Sequence, residues 1–243
     1  MNRKTVLITG AAKRLGAAVA RELHKRGMDI VIHYNRSAAE AKSLSEELNM
    51  LRDGSATLVQ ADLNDLSATG HIIDAAVDFH GRLDVLINNA SSFYPTPVAQ
   101  ANHDQWDDIF NTNLKAPFFL SQQAYKHLCD SNGCIINITD IHAHRPLRGF
   151  PVYSTAKAGL VMLTMALARE FGPAVRVNAV SPGAILWPEH MDEQTREKIL
   201  ARSVLKRSGD PRDIARAINF LINDAAYVTG QVLVIDGGRS LYS

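Results

Sequence analysis

Tyr153 and Lys157 stand four residues apart at the start of an amphipathic stretch, so on a helix both side chains leave the same face. A phenol of ordinary pKa, about 10, is a poor acid near neutral pH. An ammonium beside it stabilises the phenolate. One charge at ~4 Å in an effective dielectric of ~20 contributes about 4 kcal/mol, or roughly three pKa units. The spacing therefore predicts a tyrosine that Lys157 brings into working range for proton transfer. Such pairs also arise by chance, so their weight depends on their surroundings.

A second group surrounds the glycines of Thr9-Gly10-Ala11-Ala12-Lys13-Arg14-Leu15-Gly16, which follow a short apolar run and open a helical pattern. Glycines at such a turn permit positive φ and let backbone amides approach a pyrophosphate. Lys13 and Arg14 put cations at a helix start, where they oppose the helix dipole unless an anion binds there. The bland reading of both is a solvated helix start. The next apolar run ends in His33-Tyr34-Asn35-Arg36-Ser37. Proteins that prefer NAD usually place a carboxylate there for the ribose 2′-hydroxyl. Here there is none, and Asp29 lies at the other end of the run. Arg36, Ser37 and the amides of the following helix suit a 2′-phosphate, so NADPH is expected over NADH. Asp62, with Leu63 beside it, is placed to hold the adenine amino group; a plain helix cap is the competing reading.

The elements that must position these groups are legible as alternating patterns. Short, nearly all-apolar runs at 5–9, 29–34, 56–61, 85–88, 134–139, 176–181 and 232–235 read as strands buried on both faces. Helical patterns at 15–26, 38–51, 68–80, 104–129, 153–171 and 211–223 lie between them. The alternation predicts βαβ units around a parallel sheet, with ligands beyond the carboxyl ends of the strands. Pro117 should disturb the fourth helix, because it lacks an amide donor. One domain spanning 1–243 is expected, with a lid near 184–208 where the pattern is loosest.

Taken together, the Thr9–Gly16 turn, Asn88-Asn89-Ala90, Asn113, Tyr153-x3-Lys157 and Pro182-Gly183 resemble the short-chain dehydrogenases/reductases, in order and across nearly the whole chain. The resemblance implies a Rossmann-like doubly wound α/β sheet of seven parallel strands, ordered 3-2-1-4-5-6-7, and a homotetramer. It makes Tyr153 the proton donor and sets Lys157 against both that phenol and the nicotinamide ribose. Asn113 would hold a water of the proton relay. Asn89, Ala90, Ser91, Thr139, Pro182 and Gly183 would contact cofactor.

Two departures from the common pattern matter. Most members carry Gly where this chain has Arg14, and Ser where it has Asp140, thirteen residues before Tyr153. Both features, with Ser91-Ser92-Phe93-Tyr94-Pro95, His33–Ser37 and Arg145-Pro146-Leu147, are similar to the pteridine reductases, a branch of that family. A pterin is reduced at a ring C=N, with hydride going to carbon and a proton to nitrogen. A carboxyl group can supply or relay that proton, so Asp140 and Tyr153 are expected to titrate as a pair. Phe93 would stack the flat ring, worth around 1 kcal/mol beyond burial, though an ordinary loop aromatic is the plain reading. Arg14 and Ser91 would address the pterin or the cofactor phosphates. Trp187, in Trp187-Pro188-Glu189-His190, either closes over the site or packs the lid.

Bulk composition sets the outer limits. The chain has 243 residues, 46% apolar and 21% charged, with net charge +1. That balance speaks against general attraction to nucleic acid. No stretch approaches the ~20 apolar residues that span a bilayer, and a cytoplasmic protein is expected. Cys129 and Cys134 read as reduced thiols. With no matching ligand cluster they do not suggest zinc, and His142 and His144 read as loop residues. The alternatives are a carbonyl reductase of the same fold, such as a 3-oxoacyl-thioester reductase, and a catalytically silent NADPH-binding protein.

Overall fold

The apolar runs form strands β1 (Thr5–Ile8), β2 (Asp29–Tyr34), β3 (Ala56–Gln60), β4 (Val85–Asn88), β5 (Cys134–Ile138), β6 (Arg176–Pro182) and β7 (Val232–Ile235). In the computed structural model, which describes residues 3–187 and 191–242, they make one sheet. Its order is β3-β2-β1-β4-β5-β6-β7, with every pairing parallel. The two-residue period of a strand sorts the side chains. Val6 and Ile8 join one core while Leu7 joins the other.

Helices α1 (Arg14–Lys25), α2 (Ala38–Leu51), α3 (Ala68–His80), α4 (His103–Phe110), α5 (Ala116–Ser131), α6 (Pro151–Phe171), α7 (Glu193–Ala201) and α8 (Pro211–Asn223) follow in chain order. Leu23 of α1, Leu48 of α2 and Ile218 of α8 cover one face; Ile73 of α3, Leu128 of α5 and Leu167 of α6 cover the other. Each fully buried Leu or Ile stabilises the sandwich by about 1.5–3 kcal/mol. The sheet is therefore doubly wound. Strand order reverses between β1 and β4, and the crevice opens beyond their carboxyl ends.

Polar anchors hold the opposite edge. The Asp84 carboxylate accepts from Thr5 N at 2.8 Å and Arg82 Nε at 2.8 Å. Asp29 is tied to Arg3 at 2.9 Å and Arg52 at 3.2 Å, which keeps it away from the crevice.

Two stretches differ from expectation. The helix expected over 104–129 is divided. A π-helical turn, Asn111–Lys115, separates α4 from α5, and Ala116 N donates to Asn111 O. Pro117 has no N–H for the carbonyl of Asn113, so the ladder widens by one residue just before it. Within 184–208, where no helix was expected, α7 forms on the cap of Asp192, whose carboxylate accepts from Thr195 N at 2.8 Å. No residue of α7 is buried, so no apolar stripe announced it. Residues 188–190 of that lid lie outside the described residues. Among the described residues no helix is long and apolar enough to cross a membrane.

Candidate active site

The turn after β1 is built from the inside. Thr9 Oγ1 accepts from Asn89 N at 2.9 Å and Ala90 N at 3.0 Å. Asn89 Nδ2 donates back to Thr9 O at 2.8 Å and Gly10 O at 3.1 Å. Asn89 thus braces the turn from β4. Gly10 has φ +62°, and a Cβ there would sit 2.9 Å from Ala90 Cα. A Cβ on Gly16 would lie 2.5 Å from Gly10 O, so no side chain fits. Gly10 N donates to His33 Nδ1 at 3.1 Å, which leaves the proton on Nε2 to donate to Ala61 O at 3.2 Å. Burial pushes His33 down to about 4, so the ring is neutral. Arg14 takes φ +55°, a left-handed conformation that glycine adopts more easily. Strain of this kind, of order 1–3 kcal/mol, gathers at ligand sites.

A cleft of about 1230 Å³ crosses the carboxyl ends of the strands. Its walls bring together Gly10, Lys13, Arg14, Leu15, Gly16, Asn35, Arg36, Asp62, Leu63, Asn89, Ala90, Ser91, Phe93, Thr139, Asp140, Tyr153, Lys157, Pro182 and Gly183. Tyr34, Ser37 and Asn113 stand behind the wall. Tyr34 packs on the core beside α2. Ser37 caps α2 in position only, since its side chain makes no capping bond. Asp62 Oδ1 accepts from Asn64 N at 2.9 Å, the main reason its carboxyl sits below the ordinary range. An unfillable glycine turn, the amides opening α1, and the cations Lys13, Arg14 and Arg36 together suit a phosphorylated dinucleotide.

Deeper in the cleft, Tyr153 Oη donates to Asp140 Oδ2 at 2.8 Å, and Asp140 Oδ1 accepts from His142 N at 2.8 Å. Lys157, fully buried one turn further along α6, donates from Nζ to Ile138 O at 2.9 Å. Its nitrogen lies 5.7 Å from the centre of the Tyr153 ring. Burial pushes Lys157 down to about 8, with Asp140 pulling it back. The expected lowering of Tyr153 does not occur. Burial first, and then the Asp140 carboxylate, push its phenol well above the ordinary value. The anion is nearer than the ammonium and accepts the phenolic proton, so its influence wins.

Asn113 is buried in the π-turn. It accepts from Ser91 Oγ at 2.7 Å and donates to Ser92 O at 2.9 Å and Ile109 O at 3.0 Å. Its side chain therefore shapes the wall that carries Ser91. Phe93 stacks on Phe150, with centroids 4.7 Å apart and planes at 14°, and meets the edge of Tyr153 at 4.7 Å. Half of the Phe93 surface stays open. His142 and Trp187 line the same cleft.

Several residues here were not selected from the sequence: Thr9 and His33 as braces, Phe150 as the aromatic partner, and Arg239. A threonine before a glycine turn carried a faint signal. Arg239 carried none, because it joins the site only through the fold.

A family model described as enoyl-(acyl carrier protein) reductase matches residues 10–240. Pteridine reductase 1 of Leishmania tarentolae is 34% identical, the match covering 97% of this chain and 96% of that protein. 3β-Hydroxysteroid dehydrogenase 1 of Eggerthella lenta is also 34% identical, over 98% and 94% of the two chains. Glucose 1-dehydrogenase 2 of Bacillus subtilis is 32% identical, over 98% and 95%.

Proposed function

The chain belongs to the short-chain dehydrogenase/reductase family, and we propose that its reaction is the NADPH-dependent reduction of a pterin-like ring at C=N. The observation that carries this reading is the 2.8 Å bond from Tyr153 to Asp140, a carboxylate where most members have serine. The similarity to pteridine reductase 1 supports it. Arg36 on the wall, and no acidic side chain from β2 beside it, support NADPH over NADH.

When bound, the reduced nicotinamide supplies a hydride to ring carbon. Phe93 and Tyr153 hold the flat ring, and the aromatic wall excludes water from it. Tyr153 keeps its proton until the neighbouring ring nitrogen becomes basic; the proton then leaves the phenol for that nitrogen, relayed by Asp140. Buried Lys157 offsets the negative charge left on the Tyr153–Asp140 pair. Family resemblance gives Asn113 the role of holding a water through which the pair is recharged. Residues 184–208 act as the lid. Family resemblance extends the proposal to a homotetramer, and the sequence pattern and composition to a single-domain, cytoplasmic chain.

The test is NADPH oxidation with biopterin, dihydrobiopterin, dihydrofolate and an acetoacetyl thioester, by wild type and Asp140→Ser. Wild type is expected to favour the pterins, and Asp140→Ser to lose about 100-fold or more in kcat on dihydropterin. Turnover of the thioester alone would make the protein a carbonyl reductase. Full pterin turnover by Asp140→Ser would remove Asp140 from the chemistry.

A further inference from the structure

Arg239 opens the short 3₁₀ turn Arg239–Leu241 after β7 and lines the active-site cleft with Trp187, Met191 and Ile199. The turn that carries it is rigidly built. Asp236 Oδ1 accepts from Gly238 N at 2.8 Å and Oδ2 from Ser240 N at 2.6 Å, so this carboxylate is engaged by its own loop. Gly237 and Gly238 take φ +64° and +78°, and a Cβ on Gly238 would meet Val204 Cγ2 at 2.7 Å. The oxygens of Asp140, the other nearby acid, are held by Tyr153 and His142. Among the described residues no carboxylate lies within ion-pair distance of Arg239. Its nearest charged neighbours include a second cation, Arg202, at the end of α7. Burial disfavours the charged guanidinium most; Asp140 and, more weakly, Asp236 offset part of that, while Arg202 adds to it.

A half-buried guanidinium in this position is suited to an incoming anion. The cofactor pyrophosphate is not that anion. It belongs at the turn after β1, four strands away across the sheet, or about 19 Å at ~4.8 Å per strand. Asp140 follows β5, two strands from β7, and acts on Arg239 across the cleft without reaching ion-pair distance. That separation suits a group carried on a substrate whose ring lies against Asp140 and Tyr153.

We propose that Arg239 is a specificity-determining residue that binds a carboxylate or phosphate on the side chain of the pterin-like substrate, away from the ring being reduced. The inference rests on the pterin reading above and narrows it to pterins with an anionic tail. Arg202 adds to the positive field, and Trp187 packs along the stem that joins ring to anion.

The experiment compares kcat and KM of wild type, Arg239→Gln and Arg239→Lys on three probes. These are dihydrofolate (carboxylate tail), dihydroneopterin triphosphate (phosphate tail) and dihydrobiopterin (uncharged tail). Arg239→Gln should raise KM for the anionic substrate about tenfold or more, and change it less than about twofold on dihydrobiopterin, with kcat kept. Arg239→Lys should recover part of the loss, and the probe with the larger loss tells carboxylate from phosphate. Unchanged NADPH affinity of the variants shows that the fold is kept. Equal effects on charged and uncharged tails overturn the role of Arg239 while leaving the pterin reading intact. Wild type inactive on all three pterins overturns both.

Discussion

An ammonium with no ion-pair partner, held against a carbonyl in a dry interior, titrates early. Lys157 is the only such lysine among the described residues that reaches the cleft wall from α6, and burial brings it down to about 8. In the proposed mechanism the charge on Lys157 offsets the one left when Tyr153 releases its proton, so kcat should fall above pH 8 as the ammonium is lost. In Lys157→Met that alkaline limb should vanish along with most of the activity. A wild-type profile flat to pH 10 would detach Lys157 from the chemistry. The sequence showed that Tyr153 and Lys157 share a helix face, and that much is seen. It could not show which charge lies nearer the phenol. Asp140 is thirteen residues upstream and reaches Tyr153 only because β5 ends beside the start of α6. The direction of the tyrosine shift therefore had to come from distances.

At the scale of elements, the β1–α1 turn is the part with least tolerance. A Cβ on Gly16 would lie 2.5 Å from Gly10 O and 2.8 Å from Ala11 Cα, both backbone atoms that cannot step aside. Gly16→Ala should open the turn, lower stability by about 1–3 kcal/mol and weaken NADPH binding about tenfold or more. Denaturant unfolding and a cofactor fluorescence titration would show it; unchanged affinity would mean that the turn does not hold the phosphates. This turn was legible, as were all seven strands, because a parallel sheet covered on both faces needs nearly continuous apolar runs. Helix α7 was not, since it buries nothing and its pattern has no apolar stripe. Pro117 foretold a disturbance, but not that it would take the form of a π-turn carrying Asn113. A missing donor can be met by a kink, a break or a widened turn, and packing chooses among them.

For the molecule as a whole, the crevice depends on holding the turn after β1 in place against its half of the sheet, β3-β2-β1, and His33 does part of that. Its ring accepts from Gly10 N and donates to Ala61 O, joining the turn after β1 to the end of β3. Only the neutral ring can do both. Buried and pushed from 6.5 to about 4, His33 refuses a proton that the unfolded chain accepts. The sign follows directly: above 6.5 both states are neutral and the full stability is present, and it declines as pH falls towards 4. A difference of this size corresponds to about 3 kcal/mol, lost across that window. His33→Gln should have a lower plateau near pH 7, having given up the ring's two bonds, but a shallower fall in unfolding free energy between pH 6.5 and 4. His24, also lowered mainly by burial, titrates in both proteins and cancels in the comparison. Urea unfolding at several pH values measures the two slopes. Parallel slopes would mean that His33 is solvated in solution and that the turn after β1 is held to β3 by something else.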